Sequence, residues 1–298
     1  MTTATMDSVI PITGRQTKPI YVWAFFGVLC LLLQVYIYGS WILSDKFAPV
    51  DPGPTPISDL SMGFAYAFQT CGVIGFFWVV IWGIRSYRRE GYVTTSYLFF
   101  VGWLLAYWQD PIANWYRLYY NYNSYMFNMG SWVEFVPGWI MPRGSNIPEP
   151  LLFDIGGYMS WVPLFSVAIA IGMRKAKQRW PKIGTLELLG VALVMGMIMD
   201  LVLEGAFVLT GLYRFTGAVY SWSIWGGEQY QFPVYEAILW GAVWAAGAAL
   251  WYFKDDKGHM WVERGCENIR SATTSVFLRL MVNRPRIPGH RLSLRHLA

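Results

Sequence analysis

The chain has 298 residues, 55% of them hydrophobic and only 14% charged, against about 25% charged in an ordinary soluble domain. Aromatic residues reach 18%, with 17 Trp and 19 Tyr, a surplus that suits interfacial belts and an aromatic-walled cavity. This composition excludes a soluble domain and predicts an all-α, polytopic integral membrane bundle, while the net charge of +5 makes no case for nucleic acid.

A spanning helix needs about 20 mostly apolar residues. Six stretches qualify, at roughly 20–43, 62–84, 94–116, 151–173, 185–213 and 234–253. Residues 1–19 precede them as a short arm without a cleavable signal pattern, because the first apolar run is long enough to be read as a span. The third stretch ends in "YWQDPIANWY", where Pro111 is expected to kink or break the helix. The fourth carries Asp154 and Pro163, and the fifth carries Asp200 and Glu204.

Basic residues set the orientation. With the N-terminus in the cytoplasm, 19 of the 23 Lys and Arg fall on the cytoplasmic side, and only Lys46, Arg117, Arg143 and Arg214 lie outside. Such a bias predicts an even number of spans with both termini cytoplasmic, in a multi-pass protein of the cell membrane. Residues 20–253 then form one transmembrane domain, and 254–298 form a basic cytoplasmic tail able to touch anionic lipid. Within the tail, 261–282 has an amphipathic pattern suited to an interfacial helix, and the last dozen residues read as disordered.

The outer loops are unusual. Loop 44–61 is rich in proline. Segment 117–150, "RLYYNYNSYMFNMGSWVEFVPGWIMPRGSNIPEP", is long, aromatic and poor in charge, as is 214–233. Such loops are expected to fold back onto the bundle as a lid or re-entrant segment, since irregular backbone at depth must be buried in protein or line a cavity.

Cysteine and histidine exclude several chemistries. Cys30, Cys71 and Cys266 make an odd count without CxxC, so neither a disulfide framework nor a zinc site is expected. His259, His290 and His296 all fall in the tail, which leaves no histidine in the core for a metal or a Ser-His pair. There is no phosphate-binding glycine loop and no HExxH. The expectation is a protein without metal or cofactor.

Acid–base chemistry remains. In "MIMDLVLEGAF" (197–207), Asp200 and Glu204 are four apart and share one helix face. A carboxylate at the bilayer centre costs about 2.5–3.5 kcal/mol or more, so the pair reads either as an acid and conjugate base beside an apolar cavity or as interhelical packing. Asp110 with Gln109 and Asn114 forms a second polar group, read either as part of the same pocket or as a helix cap beside Pro111. Asp154 and Glu236 add acids at similar depth, with helix-dipole charges as the simpler account. Asn121, Asn123 and Asn128 read as polyol-binding or turn residues. Trp108, Trp115, Trp132 and Trp139 read as a cavity wall that steadies a cation through its π faces, or as membrane-belt anchors. The candidate catalytic set is Asp110, Asp200 and Glu204. The candidate substrate-binding set is Trp108, Gln109, Asn114, Asn121, Trp132, Asp154 and Glu236.

"YWQDPIANWY", "YNSYMFNMGSWVEFVPGW", "RKAKQRWPKIG", "MDLVLEG" and "WYFKDDKGHMWVERG" together resemble the spirocyclase AveC-like family of actinobacterial membrane proteins, over about residues 20 to 270. The resemblance implies a cofactor-independent cyclase that closes a dihydroxyketone polyketide to a spiroketal with loss of water, a step in secondary-metabolite biosynthesis acting on a hydrophobic small molecule. Two rivals stand beside it. One is a membrane terpene or meroterpenoid cyclase, whose diphosphate-dependent variant would hold Mg²⁺ on Asp110/Asn114 and Asp200/Glu204. The other is a transporter or lipid-binding scaffold whose acids relay protons.

Overall fold

The computed structural model describes residues 19–254 and 260–263. Among them are seven α-helices: α1 (Pro19–Ile42), α2 (Asp59–Glu90), α3 (Thr95–Ala106), α4 (Leu151–Met159), α5 (Trp161–Arg179), α6 (Thr185–Leu209) and α7 (Val234–Tyr252). Five segments are long and apolar enough to cross a membrane: Ile20–Ile42, Asp59–Glu90, Leu151–Arg179, Thr185–Leu209 and Val234–Tyr252. The protein is thus mostly helical and polytopic. The N-terminal arm and nearly all of the basic tail, including its expected interfacial helix, lie outside the described residues.

The expected third span differs in form. Helix α3 stops at Ala106 and continues as a 3-10 segment, Tyr107–Asn114, with Pro111 inside it. Proline lacks the N–H of an α-helical bond, and its ring would strike the carbonyl four residues back. That residue is Tyr107, where the tighter winding begins. Twelve α-helical residues rise only about 18 Å. The eight 3-10 residues add about 16 Å, which makes the composite about as long as a roughly 30 Å hydrocarbon core, but it is not among the five segments that qualify as spans, one fewer than the six expected.

The span Leu151–Arg179 is also composite. It breaks at Ser160 (φ −123°, ψ −77°) between α4 and α5. Pro163 causes no break, because it occupies the first turn of α5, where its missing N–H has no helical partner to lose.

Apolar burial between helices gives little drive in lipid, so close packing must hold them. Two glycine contacts provide it. A Cβ on Gly72 of α2 would strike the Leu152 carbonyl of α4, and one on Gly156 would strike Gly72 itself. Gly196 of α6 and Gly241 of α7 meet in the same way. Outward positions such as Phe25, Leu32, Val35, Ile74 and Phe77 stay exposed, as lipid-facing side chains do.

The two aromatic outer loops are ordered and bound to each other. Strand β1 (Asn121–Tyr122) pairs antiparallel with β2 (Tyr213–Arg214), and β3 (Ser223–Ile224) pairs with β4 (Phe232–Pro233). Trp132 anchors the longer loop. It is fully buried, its ring meets Tyr38, Trp41 and Tyr107 edge-on, and its Nε1–H donates to the Trp108 carbonyl at 2.7 Å. Asn128 ties the proline-rich loop to this one by accepting from the Val50 N–H at 2.9 Å.

Candidate active site

Between the 3-10 segment and helices α4 to α7, under the paired outer loops, lies a cavity of about 350 Å³. That volume is at the lower end of small-molecule sites, about 300–1,000 Å³. Its walls are mostly apolar and aromatic, with Trp103, Phe153, Trp161, Phe207, Phe215 and Trp240 prominent. Among the lining residues, Gln109, Ala113 and Val243 are exposed, which puts the mouth between the 3-10 segment and α7. None of the lining residues is Lys, Arg or His.

Four acids face this space: Asp110, Asp154, Glu204 and Glu236. They arrive from four different segments, so only the fold brings them together. Asp110 leads the bend after α3. Asp154 and Glu236 sit in the first turns of α4 and α7. Glu204 projects from the outer half of α6.

Asp110 is held by tyrosines. Tyr158 donates to Oδ1 at 2.6 Å, and Tyr120 and Tyr122 donate to Oδ2 at 2.7 and 3.0 Å. Three hydroxyls converging on one carboxylate is the arrangement expected around an anion. Burial, followed by the Asp110 charge, keeps the phenols of Tyr120 and Tyr122 well above their usual range, so both remain donors.

The second group is built around Glu204. Its Oε2 is buried and has no hydrogen-bond partner, and the Tyr213 phenol from the outer loop lies close enough to feel its charge. Burial first, and then the charge of Glu204, raises the Tyr213 phenol well above its ordinary value. Glu236 accepts from the Tyr119 hydroxyl at 2.8 Å. Asp200, one turn deeper on α6, is fully buried with neither oxygen partnered, but it is not part of the cavity wall.

Several expected site residues do other work. Trp108 packs beside Trp132 in the cluster that seats the long loop. Asn114 accepts from the Tyr119 and Tyr120 N–H groups at 2.8 and 3.1 Å, turning the chain out of the 3-10 segment. Asn121 lies on β1 and lines a separate outer pocket beside Arg117 and Arg143. Asn123 donates to the Gly211 carbonyl at 2.8 Å and, like Asn128, holds loop to loop.

Sequence reasoning missed Glu149. It is fully buried, and neither of its oxygens has a partner. One oxygen each from Asp110, Glu149 and Asp154 lie within 4.8 Å of one another. Burial, then the charge of Asp110, pushes the Glu149 carboxyl well above the usual carboxylate range. The tyrosines were missed as well, although the run "YYNYNSY" at 119–125 was a visible signal.

A family model described as spirocyclase AveC-like matches residues 88–283, more than half of the chain. The matched stretch contains Asp110, Glu149, Asp154, Asp200, Glu204 and Glu236 and leaves out α1 and nearly all of α2. Comparisons with curated proteins and with solved structures find no match.

Proposed function

The chain belongs to the spirocyclase AveC-like family, which implies a cyclase enzyme, and we propose that it closes a dihydroxyketone polyketide to a spiroketal inside the cavity, in the cell membrane. The observation that carries this reading is Glu204: a carboxyl with an unpartnered, buried oxygen, facing an aromatic cavity without a basic residue.

The chemistry begins when one hydroxyl of the guest adds to its ketone, giving a hemiketal. Glu204, as the acid form, protonates the hemiketal hydroxyl. The C–O bond breaks, water leaves, and an oxocarbenium ion remains. The second hydroxyl attacks that carbon, and its proton returns to the Glu204 carboxylate. The net change is loss of one water, with the catalyst restored. General acid–base assistance of this kind supplies about 10²–10⁴-fold. Trp161, Trp240 and Tyr213 line the cavity, and aromatic π faces stabilise a cation. A fixed cavity shape selects the face of attack.

The substrate is a hydrophobic small molecule, and the mouth between the 3-10 segment and α7 suits entry from lipid. The test is to incubate purified protein in detergent with a ring-opened dihydroxyketone and follow mass and chirality. The expected product is lighter by one water and enriched in one spiro stereoisomer. Glu204→Gln should slow its formation by about 10²-fold or more. A product of unbiased configuration, formed at the uncatalysed rate, overturns the reading.

A further inference from the structure

We propose that Asp110, Glu149 and Asp154 bind one divalent, oxygen-preferring cation of the Ca²⁺ or Mg²⁺ kind in the wall of the cavity. The proposal concerns binding alone and does not depend on the cyclisation reading.

Geometry is the first argument. The three carboxylate oxygens lie within 4.8 Å of one another. Two ligands on opposite sides of Ca²⁺ stand about 4.6–5.2 Å apart, and about 4.0–4.2 Å apart across Mg²⁺, since each distance is twice the metal–oxygen bond. A separation of up to 4.8 Å is therefore within the reach of Ca²⁺, and Mg²⁺ would draw the oxygens closer together.

The second argument is unmet polarity. Glu149 is completely buried with both oxygens unpartnered, and Asp154 is nearly so with Oδ2 unpartnered. Isolated carboxylates in such a place are strongly disfavoured. No described Lys, Arg or His forms an ion pair with any of the three. The nearby hydroxyls serve mainly Asp110, on which Tyr120, Tyr122 and Tyr158 converge, while Tyr122 reaches Asp154 Oδ1 only at 3.4 Å. The three hydroxyls leave a lone pair on Asp110 Oδ1, which takes a single donor, and they orient Asp110 as outer partners orient a metal ligand.

Ligand chemistry supplies the class. Three carboxylates without sulfur or imidazole select a hard cation. Asp110 and Asp154 face the cavity while Glu149 stands behind them, so a hydroxyl or ketone oxygen of a guest could complete the coordination.

The experiment uses the full chain in detergent, stripped with EDTA and titrated separately with Ca²⁺, Mg²⁺ and Tb³⁺, without substrate. Equilibrium dialysis with metal quantification should find one cation per chain. Tyrosine-sensitised Tb³⁺ emission should appear and be displaced by Ca²⁺ or Mg²⁺, and the unfolding midpoint should rise on binding. Glu149→Gln and Asp154→Asn should each weaken binding by about tenfold or more. Wild-type protein that takes up no stoichiometric cation overturns the proposal. Folded variants that bind as tightly as wild type do the same. The wild-type titration decides alone if the variants do not fold.

Discussion

The Tyr158 hydroxyl donates to Asp110 Oδ1 across 2.6 Å, tying α4 to the 3-10 segment that completes α3. The bond joins the two composite helical segments near their irregular points. Tyr158→Phe removes the donor while keeping the ring. A hydrogen bond to a charged group contributes about 1.5–3 kcal/mol, so the unfolding midpoint in detergent should fall by a corresponding amount. No change in midpoint would show that Asp110 finds another donor.

Glu204 and Asp200 share a helix face, but only Glu204 lines the cavity. Glu204→Gln should reduce turnover by about 10²-fold or more, as loss of a general acid does. Asp200→Asn should cost clearly less, because that side chain cannot touch a guest. Single-turnover rates of the two variants, compared at equal folded fraction, check the order. Equal losses would move the donor role to the pair.

Gly156 meets the Gly72 backbone, leaving no room for a Cβ. Gly156→Ala must push α2 and α4 apart. Overpacking of this kind costs about 1–3 kcal/mol, read as a lowered denaturation midpoint. A variant as stable as wild type would mean the two helices separate freely.

Tyr213 makes stability sensitive to alkali. Its phenol is raised well above its ordinary value of 10.0 by burial and by Glu204. The raised group favours the folded state fully below the unfolded pKa, and that contribution is lost as pH rises above 10 toward the folded pKa. Over this range the unfolded chain loses the proton and the folded chain keeps it, so Tyr213 alone removes about 1.4 kcal/mol per pH unit. In Tyr213→Phe, the decline of stability above pH 10 should be shallower by that amount, as measured by denaturation at pH 9 to 11.

Trp132 anchors the long outer loop and lies outside the cavity wall. Trp132→Ala should destabilise the protein by about 3–5 kcal/mol, as a buried aromatic truncation does. Trp132→Phe, which keeps most of the packing, should leave KM for the substrate unchanged. A raised KM in a folded Trp132→Phe variant would place this ring in the substrate site after all.

The membrane architecture and part of the site were legible in the amino-acid order. Runs such as 20–43 and 234–253 declare themselves because spanning length and apolarity are local properties. Asp110, Asp154, Glu204 and Glu236 stand out for the same reason: an acid in an apolar run is costly, and that cost can be seen without coordinates. Pro111 announced a break, and the shift to 3-10 winding at Tyr107 follows from the geometry of its ring.

Tertiary structure decided the rest. Glu149 lies in "NIPEP", a polar stretch between prolines that reads as exposed loop. It becomes fully buried only because the long loop is seated by Trp132 on α1 and the 3-10 segment and by Asn128 on residue 50, contacts between groups far apart in the chain. The division between Glu204, which meets the cavity, and Asp200, which does not, depends on how α6 is turned against α7 at Gly196 and Gly241. Helix-forming and membrane-crossing preferences act over neighbouring residues and survive in the sequence. Which side chains share a hollow, and which tryptophans are anchors, depends on close packing between distant segments, which no local pattern encodes.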